Sequence, residues 1–101
     1  MLNNTELAIV AALIEQPLYG NELIDRVAVV SNKTVKLTLG GVYATLHRME
    51  KKGLIVGFWG DESETRGGAR RRYYRVTGVG QRAFEATRRM VLSVKWRPAN
   101  A

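Results

Sequence analysis

Every residue from 7 to 14 is apolar, and polar residues bracket this run at positions 3–6 and 15–16. The pattern predicts a first helix, capped by Asn3, Asn4 or Thr5, that runs to about Gln16, where Pro17 stops it. A helix apolar on all sides has more surface to bury than its own domain can cover, so a partner subunit is the economical neighbour. A second helix, from about Gly20 to Ser31, turns Leu23, Val27 and Val30 inward. The polar residues 31–36 then form a turn into a third helix starting near Thr38. In that helix Leu39, Val42, Leu46, Met49 and Gly53 recur at steps of three or four, leaving Tyr43, Ala44, His47 and Lys51 on the opposite side. Two strands follow, from about Leu54 to Trp59 and from about Arg70 to Val76, flanking the glycine- and acid-rich residues 60–69 of a hairpin. Thr77 caps a last helix reaching about Lys95. Its stripe of Val79, Ala83, Ala86, Met90 and Val94 is widened by Phe84, Val91 and Leu92, an arc too broad for a lone surface helix.

This order predicts an α+β chain in which the second and third helices form a helix-turn-helix pair, the hairpin lies beside them, and the terminal helices pair with a second copy. Residues 1–76 form the binding unit and residues 77–101 the dimerisation helix of one structural unit. A chain of 101 residues suits one domain with a modest core. With 46% hydrophobic and 25% charged residues it is globular, and no apolar run approaches the roughly 20 residues of a membrane span. No leader pattern and no cysteine are present, so a cytoplasmic location is expected. One histidine and no cysteine leave too few ligands for a metal site.

The net charge of +7 is unevenly placed: residues 1–30 carry one base, Arg26, against Glu6, Glu15, Glu22 and Asp25, while the remaining 71 residues carry 15 bases and five acids. Such segregation favours a polyanionic partner, nucleic acid above all. Tyr43, Ala44 and His47 are the first candidates for contact, because the early turns of a recognition helix meet base edges while its N-terminal amides attract phosphate. Tyr43 either reaches a phosphate through its hydroxyl or packs under the hairpin; His47 either contacts the groove or is simply solvated. Lys33, Lys36, Lys51 and Lys52 read as phosphate neutralisers or solvated surface, and Thr38 opens the helix. Arg70, Arg71 and Arg72 can enter a narrow groove, but strand alternation prevents all three from facing one wall, so at least one is solvated or paired with Asp61, Glu62 or Glu64. Trp59 reads as packing within the hairpin, and Trp96 as packing in a dimer interface.

Three stretches resemble the PadR-like transcriptional regulators, which are dimeric winged helix-turn-helix proteins. The first is Glu6-Leu7-Ala8-Ile9-Val10 leading to Pro17-Leu18-Tyr19-Gly20-Asn21-Glu22-Leu23. The second is Gly41-Val42-Tyr43, Leu46 and residues 48–55, and the third is Arg71-Arg72-Tyr73-Tyr74-Arg75-Val76-Thr77 with Gly80. Resemblance implies double-stranded DNA as partner, homodimerisation through the C-terminal helix, repression, and release by a ligand. It also implies that Phe84, Met90, Val91 and Trp96 line a dimer slot for a planar aromatic effector. No cofactor is implied. Ser31, Ser63, Ser93 and His47 stand in no catalytic signature, and the glycines follow neither Walker nor dinucleotide patterns, so an enzyme is not expected. The competing readings are a basic RNA- or ribosome-associated module and a dimer that chiefly binds small molecules.

Overall fold

The computed structural model describes residues 1–61 and 70–95, which form α1 (Asn4–Leu13), β1 (Leu18–Tyr19), α2 (Gly20–Val30), α3 (Leu39–Lys51), β2 (Ile55–Trp59), β3 (Arg72–Val76) and α4 (Gly78–Ser93). This is the α+β winged-helix layout. Asn3 opens α1 through a capping box: its side chain accepts from the Glu6 N–H at 2.8 Å, and the Glu6 carboxylate accepts from the Asn3 N–H at 3.0 Å. The helix stops at Leu13, three residues short of the expectation, because Pro17 has no N–H to offer the Leu13 carbonyl four residues back and its ring would clash with it.

Thr38 caps α3 by accepting from the Gly41 N–H at 3.1 Å, and Thr77 caps α4 by accepting from the Gly80 N–H at 3.0 Å. Gly53, at φ +75°, closes α3: its N–H reaches the Glu50 carbonyl at 2.9 Å and the Leu54 N–H reaches the Met49 carbonyl at 3.1 Å. Two crossed bonds of this kind reverse the chain into β2 and require a left-handed residue that glycine supplies without strain.

The strands form one antiparallel sheet in the order β1-β3-β2, with Leu18 opposite Tyr74 and Trp59 opposite Arg72. β1 went unread in the sequence because two residues cannot display an alternation. Ile9, Val10 and Leu13 of α1, Leu23 and Val27 of α2, and Val42, Leu46 and Met49 of α3 meet Ile55 in a core closed to solvent. Emptying the centre of that core, as in Leu46→Ala, costs about 3–5 kcal/mol by the usual large-to-small rule.

Not every expected core position is used. Val30 and Leu39 are exposed, since each falls just beyond the turn of its helix that touches a neighbour. On α4 the packed face is Gly80, Ala83, Phe84 and Thr87: Ala83 and Phe84 pack as expected, whereas Val79, Met90 and Val94 of the predicted stripe are exposed and Gly80 and Thr87 are buried in their place. Gly80 lies against the Leu54 carbonyl and Val76, where a β-carbon would not fit, and the Thr87 hydroxyl accepts from the Leu2 N–H at 3.0 Å while donating to the Ala83 carbonyl at 2.9 Å. Val91 and Leu92 are left 54% and 71% exposed. Among the described residues no helix is long and apolar enough to cross a membrane.

Candidate nucleic-acid interface

The N-terminal end and outer side of α3 carry the exposed group Thr38, Tyr43, Ala44, His47 and Lys51, four of which share one face by helical spacing. Arg48 joins this surface and donates to Thr45 Oγ1 at 3.2 Å; it had been weighed only as part of a motif. Tyr43 lies against the start of α2, where any side chain at position 20 would collide with its hydroxyl. Its hydroxyl end therefore packs on Gly20, while the residue as a whole remains 47% exposed.

Lys33 and Lys36 are exposed in the turn that leads into α3. Asn32 and Lys33 both adopt left-handed backbone, with φ of 51° and 65°, and the Lys33 N–H closes on the Ala28 carbonyl at 2.7 Å. Side-chain bonds hold the turn: the Ser31 hydroxyl accepts from the Val35 N–H at 3.1 Å and Thr34 Oγ1 donates to the Ser31 carbonyl at 2.5 Å. The two lysines thus precede α3 on a turn held by these hydrogen bonds.

Between α2, α3 and the wing opens a notch of about 530 Å³ lined by Tyr19, Asn21, Tyr43, Trp59 and the three arginines. Strand alternation starts Arg71 and Arg72 on opposite sides of the sheet, yet both reach the notch. The Arg71 guanidinium lies 4.6 Å from the Tyr19 ring centroid, on the side of the sheet where Tyr19 meets Tyr73 edge-on and Tyr73 stacks on Phe58. Arg72 lies on the opposite side, 4.9 Å from the Trp59 ring centroid, with its Nη2 3.9 Å from Glu50 Oε2. Arg70 Nε donates to the Gly60 carbonyl at 3.0 Å. The ion pair of Arg72 thus runs to α3; of the hairpin acids considered as partners, Glu62 and Glu64 lie outside the described residues. Trp59 is 57% exposed and covered on one face by Arg72, so it forms part of the notch wall instead of a buried wing core. Tyr19 and Asn21 carried no sequence signal for the notch, which exists only once β1 pairs with β3.

Two titrating groups tie this surface to the rest of the domain. Burial raises the Tyr74 hydroxyl above the ordinary tyrosine range and nearby Glu50 adds to the rise, against an opposing hydrogen bond with Arg72. Burial would also raise Glu6, but the hydrogen bond and charge of Lys52 at 2.7 Å, the Asn3 N–H and the N-terminal ammonium outweigh it and hold the carboxyl below its usual range. Glu6 thereby joins α1 to the end of the recognition helix.

A groove of about 660 Å³ runs between α1 and α4 past the end of α2, with Leu7, Ala11, Val30, Phe84, Val91 and Leu92 in its walls. Of the residues expected at a dimer slot, Phe84 and Val91 line this groove, Met90 is exposed and not among its lining, and Trp96 lies outside the described residues. Among the described residues no three histidine, cysteine or acidic side chains gather as a metal site would require.

A helix pair with a solvent-facing second helix and an adjoining two-stranded basic wing defines a winged helix-turn-helix protein. The model of the transcriptional regulator PadR-like family matches residues 9–86, and the chain belongs to that family. Its members are transcription regulators, not enzymes. An "Uncharacterized protein X" of Lysinibacillus sphaericus is 32% identical over 73 residues, covering 72% of this chain and 64% of that protein's length. A PadR family transcription regulator from hypervirulent Clostridium difficile R20291 is 31% identical, with a TM-score of 0.71 over 87% of this chain and 86% of its own. Bacillus subtilis PadR, solved in complex with operator DNA, shares the fold at 13% identity, with a TM-score of 0.74 over 98% of this chain and 51% of its own.

Proposed function

We propose that the chain is a cytoplasmic, sequence-specific repressor that binds duplex DNA as a homodimer and is released by a small planar aromatic effector. Residues 1–76 serve DNA binding and residues 77–101 pairing. The observation that carries this reading is the notch in which Tyr43 of α3 meets Arg70, Arg71 and Arg72 of the wing, beside the exposed Ala44, His47 and Lys51; Lys33 and Lys36 are exposed in the turn before α3. The N–H groups of a helix N-terminus and a ring of cations match a phosphate backbone, and the α3 side chains are spaced to reach base edges. The fold shared with Bacillus subtilis PadR, whose structure holds operator DNA, supports duplex DNA over RNA.

Pairing is supported by the groove between α1 and α4 and by the apolar side chains of α4 that are exposed among the described residues. A stable dimer buries about 800 Å² per partner, which two terminal helices can supply. Two-fold pairing would then set the recognition helices roughly 34 Å apart, one turn of duplex. An effector in the slot around Phe84, Met90, Val91 and Trp96 acts only if it prefers a dimer with a different spacing, so its differential affinity sets the response.

The test is selection of bound duplexes from a random pool, followed by anisotropy titrations of the selected duplex, a scrambled duplex and single-stranded RNA at fixed salt. The reading requires at least about 1,000-fold preference for the selected duplex over the scrambled one. Equal affinity for all three would favour a sequence-indifferent RNA-binding module.

A further inference from the structure

We infer that Arg72 is a positioning residue that locks the outer end of the wing to the recognition helix, and that its seat on Gly57, Trp59 and Glu50 sets how sharply the protein tells its operator from other duplex DNA. The inference rests on the duplex-binding reading above, but it takes Arg72 out of the set of phosphate contacts.

Arg72 and Trp59 face each other as the last pair of the β2–β3 ladder, at the end far from the core. From there the guanidinium folds back over the sheet: it lies 4.9 Å from the Trp59 ring centroid, hydrogen-bonds with Tyr74, and brings Nη2 to 3.9 Å from Glu50 Oε2. It rests on Gly57, where a β-carbon would stand only 2.8 Å from Nη2 and 2.9 Å from Nε. The same Glu50 oxygen accepts from the Gly57 N–H at 3.0 Å. One carboxylate of α3 therefore holds both the backbone of β2 and the side chain of β3, and the planar guanidinium fills the space that a glycine leaves.

The mechanical consequence follows from leverage. Five residues of strand extend about 17 Å, so a swing of about 10° at the root displaces the outer end by about 3 Å. That is the difference between a wing lying in a groove and one held off the backbone. Sequence-indifferent binding depends on the number of phosphates neutralised, which the swing leaves largely unchanged, whereas base reading depends on helix and wing fitting the duplex together.

Three variants distinguish this role from a phosphate contact. Arg72→Ala removes the charge and the clamp. Gly57→Ala keeps the charge but puts a methyl group in its seat, displacing only the far end of a flexible side chain. Glu50→Gln keeps shape and the acceptor for the Gly57 N–H while removing the ion pair. Each is titrated by anisotropy against the duplex selected by the wild-type protein and against a scrambled duplex, over a range of salt, with circular dichroism melts confirming the fold. The expected result is a loss of about tenfold or more in the selected-to-scrambled ratio for Arg72→Ala and Gly57→Ala, comparable to one mismatched base pair, with the salt slope unchanged. The two substitutions together should cost no more than Arg72→Ala alone, since both remove the same interaction. Glu50→Gln should lose part of the ratio. A fall of about 0.9 in the salt slope on Arg72→Ala, with the ratio kept and Gly57→Ala like wild type, would overturn the inference and return Arg72 to the phosphate contacts. Wild-type protein that fails to prefer any duplex would instead overturn the duplex-binding reading and this inference with it.

Discussion

Replacing Lys52 with methionine removes the cation from a carboxylate that the fold has already buried. The Glu6 side chain is 7% exposed and its Oε2 lies 2.7 Å from Lys52 Nζ, while the Lys52 side chain is 57% exposed. Stripping one partner from a fully buried pair costs 3–5 kcal/mol, but here water can enter where the lysine leaves and the Asn3 N–H still serves Oε1. A loss of about 1–2 kcal/mol follows, near that of one hydrogen bond to a charged group. For a domain of this size the shift in Tm is roughly 5–10 °C. The sign of the pH dependence is fixed by the depressed carboxyl. Its stabilising contribution is fully present above the unfolded value of about 4.3 and vanishes as pH falls through the lower folded value. Without Lys52 the raising effect of burial is opposed less, so the gap between wild type and variant should be widest at pH 7 and narrow toward about pH 3, as Glu6 takes up its proton first in the variant and then in the wild type. Urea unfolding followed by circular dichroism at one protein concentration measures it. A gap of equal size at both pH values would show that Lys52 stabilises by packing and refute the electrostatic argument.

Lys33→Gly should stabilise the domain by about 0.5–1 kcal/mol in the same assay, because glycine adopts the left-handed φ of 65° without the cost borne by a residue with a β-carbon. Val91→Glu should leave the monomer fold intact, since the side chain is half-exposed there, yet shift sedimentation at micromolar concentration from dimer to monomer. Trp96→Ala, in which Trp59 remains, should lower the affinity for planar aromatic dyes followed by tryptophan quenching; unchanged affinity would remove Trp96 from the effector slot.

The capping residues and the inner face of α3 were legible because each depends on neighbours within one turn: Thr38, Thr77, Val42, Leu46 and Met49 stand where their spacing put them. Long-range pairing was not. Glu50 and Arg72 meet only after the Gly53 turn and the β2–β3 register bring them together, and nothing local marks either residue for the other. Glu6 looked like an ordinary first-turn acid, yet Lys52 draws it into the interior. On α4 hydropathy found Ala83 and Phe84 but missed Gly80 and Thr87, which pack by being small, while Val91 and Leu92 stay exposed. On the proposed reading those exposed positions are the surface that a second copy would cover.

The most direct test of a two-fold DNA reader is to measure binding stoichiometry and affinity on a selected duplex before and after inserting five base pairs between its half-sites. Half a helical turn places the second half-site on the opposite side of the duplex, beyond the reach of a dimer with recognition helices roughly 34 Å apart. The account predicts two chains per intact site and a loss of at least about 100-fold in affinity on the spaced one. One chain per site, with affinity unaffected by the insertion, would contradict it.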